Sequence, residues 1–192
     1  MNYANVLSDA VLAATGVYVF VHFFKRESLY NRLLWALFLL TISATALLGA
    51  VRFAGVQELI PLHGSMQILA GSLGVACAVV AVWGLVLREP FGPTAFWSTV
   101  AVGLALFAVL LTPRIRVFTQ VVQSLGMVVI MVIACFGLLR RNRRAIWIVF
   151  AVMILALATK ITPQLSANQI SFFHYTTALS LICFGQAARP SR

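Results

Sequence analysis

The stretch LGMVVIMVIACFGLLRRNRRAIWIVFAVMILALA, residues 125–158, decides the fold class. Two apolar runs flank RRNRR at 140–144, a five-residue segment carrying four arginines. A helix needs about 20 apolar residues to cross about 30 Å of hydrocarbon, and each run has roughly that length. Two such helices joined by a short cationic turn make a hairpin that holds its arginines on one side of a bilayer. RRNRR therefore reads as a topology anchor first and an anionic-lipid contact second.

The same pattern extends in both directions. Seven stretches qualify as spans: 4–24, 33–52, 65–87, 94–112, 117–139, 145–163 and 170–188. Pro61, Pro90, Pro93, Pro113 and Pro163 fall at or near the proposed ends, where proline does least harm. The 192 residues are 62% hydrophobic and 9% charged, whereas soluble domains carry about 25% charged residues. Mean hydropathy is +1.00. The expected fold is an all-α integral membrane protein of seven transmembrane helices, one domain over 1–192 with almost no chain left for a soluble part. The first run lacks the basic leader of a cleaved signal and reads as a permanent helix.

A net charge of +10 raises the question of nucleic acid. The basic residues sit in short clusters between apolar runs, so the bilayer is the expected partner and nucleic acid is not. With seven spans, one side receives Lys25, Arg26, Arg32, Arg88, Arg140, Arg141, Arg143, Arg144, Arg189 and Arg192; the other receives Arg52, Arg114, Arg116 and Lys160. The richer side belongs inside, which puts the N-terminus outside and the C-terminus in the cytoplasm. The expected location is a bacterial cytoplasmic (inner) membrane. Cys77, Cys135 and Cys183 lie in apolar runs without CxxC spacing and read as small buried hydrophobes. Trp35, Trp83, Trp97 and Trp147 fall near span ends and read as an interfacial belt.

Short motifs recur. FFKR (23–26) and LLRR (138–141) close the first and fifth spans, with Trp35 and Trp147 opening the next; LREP (87–90) and ARP (188–190) close the third and seventh. Near the opposite ends, Asn5 and Ser8–Asp9 correspond to Gln120 and Gln123–Ser124. These matches suggest two parallel three-helix units, 4–90 and 117–190, joined by helix 94–112. The layout resembles that of the SWEET sugar carriers, although Pro163–Gln164 stands at the wrong end of its helix for their PQ-loop motif.

Ionisable groups inside hydrocarbon each cost roughly 2.5–3.5 kcal/mol and call for a reason. Asp9 precedes Lys25 by 16 residues, Gln123 precedes Arg140 by 17, Lys160 follows Arg144 by 16 and His174 precedes Arg189 by 15. At 1.5 Å per residue all four lie about 22–26 Å from the inner boundary. Asp9, Gln123, Lys160 and His174 thus form the candidate ligand- or proton-binding layer. Asp9 and Lys160 can neutralise each other, and His174 can change protonation near neutral pH. Asn5, Gln67, Ser72 and Gln120 are the expected supporting residues, with Ser171, Thr177 and Thr159 nearby. His63, about 37 Å along a helix from Arg88, is expected at the outer surface, in a loop with Arg52 and Glu58.

Three functions fit this layer. The first is a small-solute or proton-coupled transporter, with Asp9 and His174 exchanging a proton or holding solute. The second is a membrane-embedded lipid hydrolase. The layout resembles the alkaline ceramidase and adiponectin-receptor group of zinc hydrolases, which implies a metal held by His174, His63 and Asp9. Their paired histidines are missing here, since Ala178 stands four residues after His174. The third is a haem-binding protein through His63 and His174, or an accessory subunit of a larger membrane complex or oligomer. No sequence motif identifies a cofactor.

Overall fold

The computed structural model describes residues 3–165 and 169–189. It is all-helical: 86% of the described residues are in helices and none is in a strand. Five helices are long and apolar enough to cross a membrane: α1 (Tyr3–Phe23), α2 (Leu29–Phe53), α3 (Gln57–Leu87), α4 (Pro93–Leu110) and α5 (Arg116–Leu139). A shorter apolar helix, α6 (Ala145–Ile161), follows. The last, α7 (Gln169–Ala187), gives seven of its 19 positions to Gln, Ser, His and Thr. Arg192 and the Pro190 end of the second expected unit lie outside the described residues, as do residues 166–168 of the last separator.

Six helices begin and end within about four residues of the expected stretches. The exception is α3, which starts at Gln57 instead of 65. Pro61 read as a breaker, but it occupies the first turn of the α-helical part, where its missing N–H costs nothing. The expected long separator contracts to Ala54–Val56, which Gly55 turns at φ +129°, a conformation side chains rarely adopt. Inside α3, residues Ala70–Gly74 form a π-helical segment.

The helices close into a ring in the order α1, α2, α3, α5, α6, α7 and back to α1, with α4 against α3 and α2. Buried apolar residues fill its interior, and polar ties cross between helices. Thr45 donates to the Met66 carbonyl at 3.1 Å and Ser180 to that of Ala151 at 2.9 Å. Asn142 donates to Val86 O at 3.0 Å and accepts from the Arg144 N–H at 3.2 Å. Such side-chain-to-carbonyl ties serve where apolar surroundings provide no hydrophobic drive between helices.

One aromatic cluster corrects the interfacial reading of the tryptophans. Trp35 is fully buried, stacked on Phe24 at 4.4 Å between centroids and packed against Phe38 and Phe184. Trp83, Trp97 and Trp147 are exposed. Cys77 and Cys183 are buried as expected, whereas Cys135 faces outward. The spanning windows of α4 and α5 are only 17% and 22% buried. Faces this apolar and this open, with Trp97, Val102, Val121, Leu125 and Val132 among them, are compatible with a lipid bilayer and would be a liability in water.

Candidate functional site

The buried face of α1 runs through Asn5, Ser8, Asp9, Leu12, Gly16 and Val19, the three-to-four-residue spacing of one helical stripe. Its first turns are polar and meet the polar first turns of α7. Asp9 Oδ1 lies 3.1 Å from His174 Nδ1, and Ser8 Oγ lies 3.3 Å from the same nitrogen. Ser171, one turn before His174, donates to Asn5 Oδ1 at 3.0 Å. Asp9 is 1% exposed and Ser8 fully buried.

Donor counting assigns the protons. The single hydroxyl proton of Ser8 goes to the Asn5 carbonyl at 3.1 Å, so toward His174 this oxygen can only accept. Nδ1 of His174 then carries a hydrogen shared between Ser8 Oγ and Asp9 Oδ1. The second carboxylate oxygen, Asp9 Oδ2, is buried and has no hydrogen-bond partner among the described residues. It is directed at α2, where a Cβ on Gly49 would stand 2.6 Å from it. Glycine at 49 is therefore what admits the carboxylate between the helices.

Three residues after Gly49, on the same side of α2, Arg52 approaches α3. Its Nη1 lies 3.1 Å from His63 Nδ1. A guanidinium only donates, so this ring nitrogen offers a lone pair and His63 carries its hydrogen on Nε2. The two imidazoles thus hold opposite tautomers.

Several expectations change here. His63 is buried, not at the outer surface, because α3 begins early and the last turn of α2 covers it. Only Glu58, at the start of α3, is exposed as a loop residue would be. Lys160 is exposed on α6, and the ion-pair partner of Asp9 is His174. A long lysine stem reaches outward more cheaply than it buries its charge.

Gln123 stands apart from Asp9. It packs on Gly71, in the π-helical segment of α3, where a Cβ would overlap its side chain. Gln67 and Gln120 are exposed. Ser72 is buried but donates to the Ile68 carbonyl of its own helix at 2.8 Å, as Thr177 does to Phe173 at 2.8 Å and the exposed Thr159 to Ala156 at 2.8 Å. Of the expected layer, then, Asp9 and His174 converge, supported by Asn5 and Ser171. Ser8, Gly49, Arg52 and His63 complete the cluster. The signal for the last three was their register, since Gly49 and Arg52 sit on one side of α2 at i, i+3.

No three His, Cys, Asp or Glu side chains among the described residues group as metal ligands. His174, His63 and Asp9 supply instead one imidazole–carboxylate pair and one imidazole engaged by an arginine. Residues 4–192 match the model of a family described as Family of unknown function (DUF6962), and the chain belongs to that family. No curated protein matches the chain, and no solved structure does.

Proposed function

We propose that this member of the family is a seven-span membrane carrier that moves a small solute together with a proton, with Asp9–His174 as its proton-binding centre. One observation carries the reading: a carboxylate and an imidazole 3.1 Å apart, between α1 and α7, the carboxylate 1% exposed. Ionisable residues inside a membrane are expensive and mark proton relays and ligand paths. Since Asp9 Oδ2 has a spare lone pair, the pair can take up a proton without losing its existing bond.

In this reading α6 and α7 join the five longer helices as spans. The N-terminus faces out and the C-terminus the cytoplasm of a bacterial cell, following the ten-to-four split of basic residues. The parallel three-plus-one-plus-three arrangement, units 4–90 and 117–190 about helix 94–112, has support in the packing. The ring of contacts maps onto itself when α1, α2 and α3 exchange with α5, α6 and α7. Under that exchange the α1–α7 crossing becomes the α5–α3 crossing. Ser8–Asp9 meets His174 at the first, and Gln123, its sequence counterpart, meets Gly71 at the second. A polar residue from the first helix of each unit thus meets the third helix of the other.

The test is transport by the purified protein in liposomes, with a panel of sugars, amino acids and monocarboxylates under an imposed pH gradient. The expected result is uptake of at least one class that the gradient accelerates, that Asp9→Asn and His174→Ala abolish and that Lys160→Gln leaves intact. Uptake no faster than in empty liposomes, or uptake indifferent to Asp9→Asn and His174→Ala, overturns the proposal. Orientation is read separately, by labelling a single cysteine at Glu58 or Arg143 with an impermeant maleimide. Labelling of Arg143→Cys from outside reverses the topology.

A further inference from the structure

We infer that His63 is a second proton-binding position, coupled to Asp9 by Arg52, which moves from one to the other when His63 is protonated. This deepens the proposed function by naming how the Asp9–His174 centre is regulated. Three observations carry it. Arg52 Nη1 donates to His63 Nδ1 at 3.1 Å, a bond that exists only while that nitrogen keeps its lone pair. Asp9 Oδ2 is buried without a hydrogen-bond partner among the described residues. Gly49, which makes room for that oxygen, lies one helical turn from Arg52 on the same side of α2.

A proton arriving at His63 Nδ1 turns the acceptor into a donor and sets two cations against each other, so the Arg52 bond breaks. The vacant acceptor of opposite charge is Asp9 Oδ2, seated against Gly49 one helical turn from Arg52. Arg52 then pairs with the carboxylate, and charge-assisted hydrogen bonding repays the move. The carboxylate is thereby drawn from His174, whose Nδ1–H keeps Ser8 Oγ as partner. The step forms one N–H bond, as the incoming proton binds His63 Nδ1, and one guanidinium changes its hydrogen-bond partner. A proton requires no void, which suits atoms as enclosed as these.

Other charged groups facing His63 are few. Arg52 comes from α2, and the titratable groups of the adjoining cluster are Asp9 on α1 and His174 on α7. From α5, Arg116 lies over the neighbouring Gly64, its Nη2 2.9 Å from where a Cβ would stand. The α4 helix (Pro93–Leu110) has no ionisable residue, and on α3 itself the exposed Glu58 lies five residues earlier. Among the described residues Asp9 is thus the buried carboxylate, packed on Gly49 one turn from Arg52.

The experiment is histidine-labelled nitrogen NMR on the full chain in lipid nanodiscs, which reads the tautomer and the titration of His22, His63 and His174 individually. In the wild type, the expected neutral form of His63 carries its hydrogen on Nε2; a neutral His63 protonated on Nδ1 overturns the inference without any variant. Asp9→Asn, close to isosteric, is expected to lower the titration midpoint of His63 by about half a unit or more, since Arg52 loses its alternative partner. In an Arg52→Gln background the same substitution is expected to shift it by less than about 0.2 units. An undiminished shift there means that Asp9 acts on His63 directly and refutes the relay through Arg52. The readout is an equilibrium titration, so it stands or falls independently of solute uptake: a coupled pair in a protein without uptake refutes the carrier and keeps the switch.

Discussion

Replacing Gly49 by alanine tests the site through a single atom. The added Cβ would stand 2.6 Å from Asp9 Oδ2 and 3.0 Å from both Asp9 Cγ and Oδ1, so its three nearest neighbours all belong to that carboxyl. Both signs of effect can be worked out. Alanine in a helix interior gains about 1 kcal/mol over glycine in conformational entropy. Against this, the carboxylate must swing away and give up a charge-assisted bond to His174, worth about 1.5–3 kcal/mol. The net expectation is destabilisation by about 0.5–2 kcal/mol. Thermal unfolding in detergent, followed through intrinsic tryptophan emission, measures it; Trp35 in the buried aromatic cluster reports loss of packing. The same substitution in an Asp9→Ala background should change sign and stabilise by up to about 1 kcal/mol, because only the alanine gain remains. If Gly49→Ala is neutral or stabilising while Asp9 is present, the close fit of the carboxylate between α1 and α2 is wrong, and the seat of Oδ2 one turn from Arg52 falls with it.

Two further outcomes are expected outside the Asp9–His174 cluster. Glu27, in the turn between α1 and α2, has its carboxyl raised above the usual 4.5 by burial, against the pull of its hydrogen bond to Asn31 and the charge of Arg144. A raised acid favours the folded state while protonated, so its contribution is present below pH 4.5 and lost as pH rises through the folded value; unfolding midpoints across pH 4–7 should fall less in Glu27→Gln than in the wild type. Asn142→Ala leaves the buried Val86 carbonyl and the Arg144 N–H without their side-chain partner, at a cost of about 1–3 kcal/mol and an unfolding midpoint lower by roughly 2–12 °C. Ser65→Ala, which removes only a bond to a carbonyl of its own helix, should leave that midpoint unmoved.

The helices were legible because hydrocarbon thickness imposes a length on apolar runs, and arginines and prolines punctuate them. Depth was legible for the same reason: counting from Lys25 and Arg189 brought Asp9 and His174 to one level, and they meet. Depth is a single coordinate, however, and partner choice needs the angle around each helix and the order of helices in the ring. Charge complementarity favoured Lys160 for Asp9, but α1 packs on α7 and α2, and Lys160 faces outward on α6. His63 was misplaced for a local reason: the expected third span began at 65, whereas the helix starts earlier and Pro61 occupies its first α-helical turn. With His63 inside, the polar residues stop being a layer of independent groups. Gly49 and Arg52 become intelligible together: the smallest residue admits a carboxylate, and one turn later a guanidinium binds an imidazole. A glycine followed three residues later by an arginine near the end of an apolar helix reads on its own as a soft spot and a topology charge. Only the neighbour across the helix crossing turns it into a device that can exchange partners.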